Sequence, residues 1–173
     1  MAGPPSGSRT TSASGQPAAA STGGTTRSPI RWFVQPAGDT AKDAVQLAVQ
    51  RFWSVFTRLA EQPGAADSEL TQVAADPVLA RLMRAFQAEA QQGKRERGPL
   101  DGSITAVSVS GVSARATSCL DLTKVQSYQS NGRPVPGTRG GMDRYVLTLR
   151  RVGGVWKVID YDSPQGSTCS VRP

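Results

Sequence analysis

The chain has 173 residues, of which 38% are hydrophobic and 19% charged, and its formal net charge is +7 at pH 7. This length fits one domain, and the apolar residues are grouped in blocks, which excludes a wholly disordered protein. The sequence lacks the roughly 20 consecutive apolar residues of a membrane-spanning helix, and it contains no histidine, which excludes histidine-based catalysis.

The positive charge raises the question of a nucleic-acid partner, because a basic surface attracts phosphates. The densest basic run, Lys94-Arg95-Glu96-Arg97, contains an acid and no aromatic residue on which a base would stack, and the other arginines are scattered. We therefore expect a solvated basic surface and no nucleic-acid partner.

Residues 1–38 are predicted to be a disordered tether. The first 30 are mostly Gly, Ser, Thr, Ala and Pro, with Arg9 and Arg27 as the only charged side chains, so they bury too little apolar area to offset the entropy of ordering. Such composition is typical of a spacer between a membrane anchor and a domain, and equally of an ordinary disordered terminus. The first residues lack the apolar core of a signal peptide, so membrane attachment is expected only through an N-terminal anchor outside this sequence.

The folded domain is placed at residues 39–173, and its first predicted element is a long helix. Thr40 is the predicted N-cap, with Asp43 at the third helical position, and the helix runs to Pro63-Gly64. Large apolar side chains at helical spacing predict one buried stripe, formed by Val45, Val49, Phe52, Trp53, Phe56 and Leu59. Aromatic residues at such regular spacing favour core packing over a ligand-binding aromatic box.

Two shorter helices are predicted next. Asp67 or Ser68 caps the second helix, and the third begins at Asp76-Pro77, an N-cap followed by proline in the first helical position. The third helix ends near Gln92-Gly93, since glycine suits the left-handed residue after a helix. Residues 94–102 are predicted to form a polar loop.

From Ser103 onwards the apolar period changes from 3.6 to 2, which predicts a meander of antiparallel strands. Gly111 separates the first strand from a second, which leads to Cys119. A third strand is expected at 124–129, followed by a wide loop at 132–141. Helices followed by strands predict an α+β class, with three helices packed on a curved antiparallel sheet of about four to five strands.

The last two strands are predicted to form a tight hairpin at Val152-Gly153-Gly154-Val155, because two glycines accept the positive φ of a primed turn. In the final strand, simple alternation places Trp156, Val158 and Asp160 on one face. The same alternation places Val155, Lys157, Ile159 and Tyr161 on the other.

Two cysteines bracket the predicted sheet. Cys119 ends a strand and Cys169 follows the last one, so the two side chains are expected to meet at one end of the sheet. A disulfide would close a loop of about 50 residues and indicate an oxidising, extracytoplasmic compartment. The alternative is two reduced thiols in a cytosolic protein. Two cysteines without a CxxC pair or a histidine do not indicate zinc or redox chemistry, and no cofactor or metal is expected.

Several segments together resemble a known group of proteins. They are Ala116-Thr117-Ser118-Cys119-Leu120-Asp121, Asn131-Gly132, Tyr145-Val146-Leu147, Gly153-Gly154-Val155-Trp156-Lys157-Val158 and the terminal Cys169. The pattern, over residues 39–170, resembles secreted proteins and lipoproteins of high-GC Gram-positive bacteria, which are similar to the nuclear transport factor 2-like (SnoaL-like, cystatin-like) superfamily. This resemblance implies a curved sheet wrapped against helices to form a cone, and a Cys119–Cys169 bridge.

Enzymes of that superfamily are acid–base catalysts that act on small ligands inside the cone, commonly with His and Asp. Without histidine, the only catalytic candidates are Asp121 as a base and Tyr128 or Tyr145 as a hydrogen-bond donor to a developing oxyanion. The alternative role of Asp121 is that of a strand-end residue bonded to nearby backbone amides. We favour that alternative, and with it a protein that is not an enzyme.

Two other polar patterns are given structural interpretations. Asp160 and Asp162 are spaced like an acid pair or weak cation site, but salt bridges at a sheet edge are simpler. Arg139-Gly140-Gly141 leads into a strand and lacks the Gly-Lys-Ser/Thr that opens a phosphate-binding helix. The expected partners of the two aspartates on the paired strand are Arg144, Arg150 and Arg151.

Three functional hypotheses follow. The leading one is an extracytoplasmic, membrane- or wall-tethered module that binds a protein partner, an envelope polymer or a small ligand. The alternatives are a small-ligand acid–base enzyme that uses Asp121 and a tyrosine, and a scaffold domain of a conjugation or secretion apparatus. The sequence does not specify the partner or the oligomeric state.

Overall fold

The computed structural model describes residues 30–64, 68–164 and 169–171, and these ranges form the predicted α+β arrangement. The elements are β1 (Arg31–Phe33), α1 (Thr40–Glu61), α2 (Leu70–Val73), α3 (Val78–Gln91), β2 (Arg95–Arg97), β3 (Asp101–Ser110), β4 (Ser113–Asp121), β5 (Gln126–Tyr128), β6 (Met142–Val152) and β7 (Val155–Asp162). Within the described ranges, none of the helices has the length and apolar character needed to span a bilayer.

Five strands form the main sheet, in the order β1-β3-β4-β6-β7, and β2 and β5 form a separate two-stranded sheet. The main sheet is mixed: β1 runs parallel to β3, whereas the other pairs are antiparallel. The expectation of a single antiparallel sheet was therefore wrong in two respects. The parallel pair arises because all three helices lie between β1 and β3, and such a crossover is the connection that parallel strands require.

Strand β1 lies inside the segment predicted to be a tether, so order begins no later than Ile30 instead of residue 39. Three residues are too short to show a period. They are held by pairing with β3 and by a two-point bond from the Arg31 guanidinium to the Asp101 carboxylate, at 3.0 and 2.6 Å. Trp32 covers Gly102 so closely that a Cβ there would lie 2.7 Å from the indole ring. The rest of the predicted tether, residues 1–29, lies outside the described residues.

Helix α1 is capped one residue earlier than predicted. The Asp39 carboxylate, and not the Thr40 hydroxyl, accepts hydrogen bonds from the backbone N–H groups of Ala41 and Lys42, at 2.8 and 3.2 Å. The predicted core stripe is confirmed. Its most buried members are Val45, Val49 and Phe52, each 0% exposed, followed by Leu59, 1% exposed, and Trp53, 2% exposed.

The starts of the shorter helices also differ from prediction. Helix α2 has Glu69 at its cap position, without a side-chain cap bond, and the alternative cap Asp67 lies outside the described residues. Helix α3 begins at Val78, so Pro77 precedes the first helical position, although the Asp76 carboxylate still accepts from the Ala80 N–H at 3.2 Å. The predicted end of α3 is confirmed, and Gly93 follows it with a φ of +63°.

The predicted polar loop at 94–102 contains β2 and the first residues of β3. The strand predicted at 124–129 is β5, but it pairs with β2 and not with the main sheet. The Arg-Glu-Arg sequence of β2 does not predict a strand, because it contains no apolar residue. In the structure, its central residue, Glu96, is half-buried and both arginines are exposed.

A β-bulge in the last hairpin changes which face Tyr161 occupies. The register shifts between Thr148 and Leu149, which pair with Asp160 and Val158, so Ile159 is an extra residue on β7. One extra residue inverts the alternation beyond it. Tyr161 therefore contacts the core on the helix-facing side of the sheet. The prediction that it shares a face with Val155 is wrong. The predicted glycine turn is confirmed.

Cys119 and Cys169 form a disulfide, with their Cα atoms 5.9 Å apart. Cys119 is 0% exposed on β4 and pairs in register with Ser103 of β3 and Arg144 of β6. The bridge ties the segment after β7 to the centre of the main sheet. It spans 50 residues, so the loop that it closes is long.

Removing the bridge should destabilise the domain. On the chain-entropy model, closing a loop of this length stabilises the folded state by about 4 kcal/mol at most, so we expect Cys119→Ala/Cys169→Ala to lower the free energy of unfolding by up to that amount. Denaturant titration of the double variant and the wild type measures the difference. Mass spectrometry after alkylation without reductant should show no adduct on the wild type, and two adducts would contradict the bridge.

Candidate functional site

A cavity of about 470 Å³ lies between the second half of α1, the loop from β2 to β3, and the ends of β4 and β6. Most of its wall is apolar. Besides aromatic rings it includes Ala60 of α1, Leu100 before β3, Leu120 of β4, and Leu122 and Val125 of the following loop. The domain thus has a mainly apolar cavity that is partly open to solvent.

Three aromatic rings form one side of the cavity: Trp53 and Phe56 of α1, and Tyr145 of β6. The ring centroids lie 5.4 Å apart for Trp53 and Phe56, and 4.7 Å apart for Trp53 and Tyr145. The sequence predicted that these α1 residues pack in the core, which they do. The same cluster also supplies the wall of the cavity, because the rings have the core on one side and the opening on the other.

Two side-chain donors of this wall, on Trp53 and Thr57, are already bonded within the protein. The Trp53 indole Nε1–H donates to the Ser118 hydroxyl oxygen at 3.1 Å, and both residues are almost fully buried. The Thr57 hydroxyl donates to the Trp53 carbonyl one helical turn earlier, at 2.8 Å. Neither group is available to a ligand without breaking an internal hydrogen bond.

Tyr145 presents a phenol that stays neutral. Its hydroxyl donates to the Asp143 carboxylate at 3.4 Å, since residues two apart on β6 share a face. Burial raises the pKa of the Tyr145 phenol far above its ordinary value, and the negative charge of Asp143 raises it further. The group is therefore a poor proton donor, while its oxygen retains lone pairs that can accept a hydrogen bond.

The charged residues in the cavity wall are Glu61, Glu96 and Arg97. Alternation along β2 places Glu96 on the same face as its register partner Ser127, which is 4% exposed, and places Arg97 on the opposite face. The Arg97 guanidinium lies over the Tyr128 ring, 6.0 Å from its centroid. Glu96 thus directs its carboxylate inward, where its charge also contributes to the raised pKa of Tyr145.

The structure brings one of the three predicted catalytic candidates to the cavity. Tyr145 lines it, whereas Tyr128 stacks with Arg97 outside the lining. The Asp121 carboxylate accepts from the Thr123 hydroxyl at 2.5 Å and the Thr123 N–H at 3.0 Å, and these bonds lower the pKa of Asp121. This is the strand-end role that the sequence favoured.

Sequence reasoning missed Glu96 and Asp143. Glu96 lies within the basic run at 94–97, which is part of a predicted polar loop. Asp143 stands two residues before Tyr145, a spacing that puts both on one face of a strand, and this signal was available in the sequence.

One of the two aspartates at the end of β7, Asp160, forms a salt bridge. Asp160 forms an ion pair with Arg81 of α3 at 3.2 Å, and the Arg81 guanidinium also lies 5.0 Å from the centroid of the Tyr161 ring. The expected partners of both aspartates are arginines of the neighbouring strand, and this prediction is wrong for Asp160. Among residues 30–64, 68–164 and 169–171, no group of three or more potential ligands is arranged to hold a metal ion.

Comparison with known proteins relates the chain to solved structures through its fold. No protein-family model and no curated protein matches it. The intermembrane space region of the chloroplast protein ARC6 is similar, with a TM-score of 0.59 at 14% identity over 70% of this chain and 95% of that one.

Two further neighbours come from bacteria. A nuclear transport factor 2-like protein of unknown function from Shewanella oneidensis has a TM-score of 0.47 at 10% identity, over 72% of this chain and 98% of that one. A protein of unknown function with a cystatin-like fold from Nostoc punctiforme has a TM-score of 0.39 at 15% identity, over 76% and 93%. These two neighbours have nuclear transport factor 2-like and cystatin-like folds, respectively.

The buried phenol should make the domain sensitive to alkali. Tyr145 has an ordinary pKa of 10.0 that folding raises, so the neutral phenol is the form that the folded state favours. Its contribution to stability is complete below pH 10 and is lost as the pH rises through the raised pKa. We expect the free energy of unfolding to fall less steeply between pH 10 and the raised pKa in Tyr145→Phe than in the wild type. Equal slopes in denaturant titrations of the two proteins would contradict this.

Proposed function

We propose that this domain is an extracytoplasmic binding module that holds an apolar small molecule in its cavity. The observation that supports this most directly is the cavity itself, about 470 Å³ with a wall of aromatic and aliphatic side chains. Ligand sites are commonly cavities of about 300–1,000 Å³, mostly apolar, with a few polar groups that orient the ligand. Tyr145 and Glu96 are such groups in this cavity.

A binding role fits the chemistry of the wall better than catalysis. The phenol of Tyr145 is held neutral by burial and by Asp143, and the Asp121 carboxylate that would act as base is bonded to Thr123 outside the lining. An acid–base enzyme would need groups with pKa values near the working pH. A scaffold domain of a conjugation or secretion apparatus would need no ligand, so ligand binding distinguishes that alternative as well.

The proposed location rests on the disulfide, because such bonds persist in oxidising compartments and are rare in the cytosol. The Gly-, Ser-, Thr-, Ala- and Pro-rich composition of residues 1–29 suits a linker to an envelope anchor. In this proposal the module is held at the cell surface or in the wall, with its cavity open to molecules of the envelope.

Ligand binding can be measured with N-phenyl-1-naphthylamine, a neutral probe that fluoresces in apolar surroundings. We expect saturable binding to the wild type. Val125→Trp places a large ring at the cavity wall and should weaken binding by roughly tenfold or more, equivalent to a clash of about 1.4 kcal/mol. The matched control is Val112→Trp, because Val112 is 61% exposed in the turn between β3 and β4. Absence of saturable binding, or equal affinities of the two variants, would contradict the proposal.

The location has its own measurement. The protein in its source cells is trapped with acid, alkylated without reductant and weighed. We expect both cysteines to be unmodified, since an oxidising compartment keeps the bridge closed. Alkylation of both cysteines in this cellular protein, combined with none in the purified oxidised protein, would place it in a reducing compartment.

A further inference from the structure

Apart from Arg97, the side-chain donors that line the cavity are already used within the protein. The Trp53 N–H and the Thr57 hydroxyl are both used within the protein, at 3.1 and 2.8 Å from their acceptors. The Tyr145 hydroxyl donates its proton to Asp143, which leaves its oxygen as an acceptor. A ligand placed here meets acceptors and finds these side-chain donors already satisfied.

Glu96 adds a charged acceptor to the same wall. It is half-buried and faces inward from β2, and among the described residues its carboxylate forms neither an ion pair nor a side-chain hydrogen bond. A partly desolvated carboxylate without a partner is unfavourable, and a cationic donor would satisfy it. Burial and the like charge of nearby Glu96 raise the pKa of Glu89 on α3, whereas the positive charge of Lys94 lowers it.

Arg97 does not supply the missing cation. It contributes to the cavity wall, but among the described residues it forms no ion pair with Glu96, and its guanidinium lies 6.0 Å from the centroid of the Tyr128 ring. A cation inside the cavity would also meet the faces of Trp53, Phe56 and Tyr145. Aromatic faces carry negative charge and attract ammonium groups, most strongly where water is excluded.

We propose that the cavity selects apolar ligands that carry a protonated amine, with the ammonium group held by the Glu96 carboxylate and the Tyr145 oxygen, and the apolar body against the aromatic wall. This inference rests on the proposed function, because it names the chemical class of the ligand for the same cavity. The Glu96 carboxylate and the Tyr145 oxygen are acceptors, so they favour a ligand that carries a hydrogen-bond donor.

Three probes with one skeleton test the selectivity. They are 2-naphthylmethylamine, 2-naphthalenemethanol and 2-naphthoate, which are respectively cationic, neutral and anionic at neutral pH. Each is titrated into the wild type, with displacement of N-phenyl-1-naphthylamine as the readout. We expect the amine to bind roughly tenfold or more tightly than the alcohol, as hydrogen bonds to charged groups imply, and the carboxylate to bind most weakly.

Glu96→Gln tests the assignment within the site. It should lower the affinity for the amine far more than the affinity for the alcohol, and so remove most of the preference for the amine. Glu69→Gln is the matched control, because Glu69 pairs with Arg58 on the surface and lies outside this cavity. If Glu96→Gln melts at a lower temperature than the wild type, Tyr145→Phe provides a second variant, which should lower the affinity for the amine more than that for the alcohol.

The possible outcomes separate the two proposals. Equal affinity for amine and alcohol, or tightest binding of the carboxylate, would overturn the selectivity and leave a neutral or anionic ligand in a functional cavity. An amine preference that persists in Glu96→Gln and in Tyr145→Phe would also overturn it. Failure of every probe to bind, N-phenyl-1-naphthylamine included, would overturn the proposed function itself.

Discussion

The packing of α1 against the main sheet depends on the buried indole of Trp53. An indole N–H without a partner in the core costs free energy, and here it is satisfied by the Ser118 hydroxyl of β4, itself 0% exposed. This bond joins the middle of the helix to the middle of the sheet and fixes the orientation of the ring. The ring in turn contacts Phe52 on the core side and Tyr145 on the cavity side. The core and the cavity therefore share one wall.

How far the sequence predicts this fold depends on the range of the interactions involved. Helices α1 and α3 and the turn at Gly153-Gly154 follow from local periodicity and glycine conformation, and they were predicted closely. Strands β1 and β2 were missed because each has three residues and is held by a distant partner, as Arg31 is by Asp101. The bulge at Ile159 was missed for a related reason: the extra residue is defined by pairing with β6. A segment of three residues does not reveal which distant strand it pairs with, or in which register.

The same limit applies to the site. The sequence identifies Tyr145 as a candidate donor, with Asp121 as the base, whereas in the structure β6 itself supplies the carboxylate next to the Tyr145 phenol, Asp143. The Asp-Leu-Thr sequence at 121–123 is typical of an aspartate that bonds backbone two residues on, and the structure has that turn. Glu96 became a candidate only when pairing with β5 gave β2 an inward and an outward face.

The fold and the proposed selectivity share a cause. The Trp53 N–H anchors α1 by donating to Ser118, and it is therefore not available as a donor to a ligand in the cavity. The Tyr145 proton is likewise committed to Asp143, so the phenol enters the cavity only as an acceptor. Since the rings are rigid and these bonds are formed before any ligand arrives, the cavity is preorganised for a hydrogen-bond donor. The Glu96 carboxylate in the cavity wall attracts a cation and repels an anion in the same position.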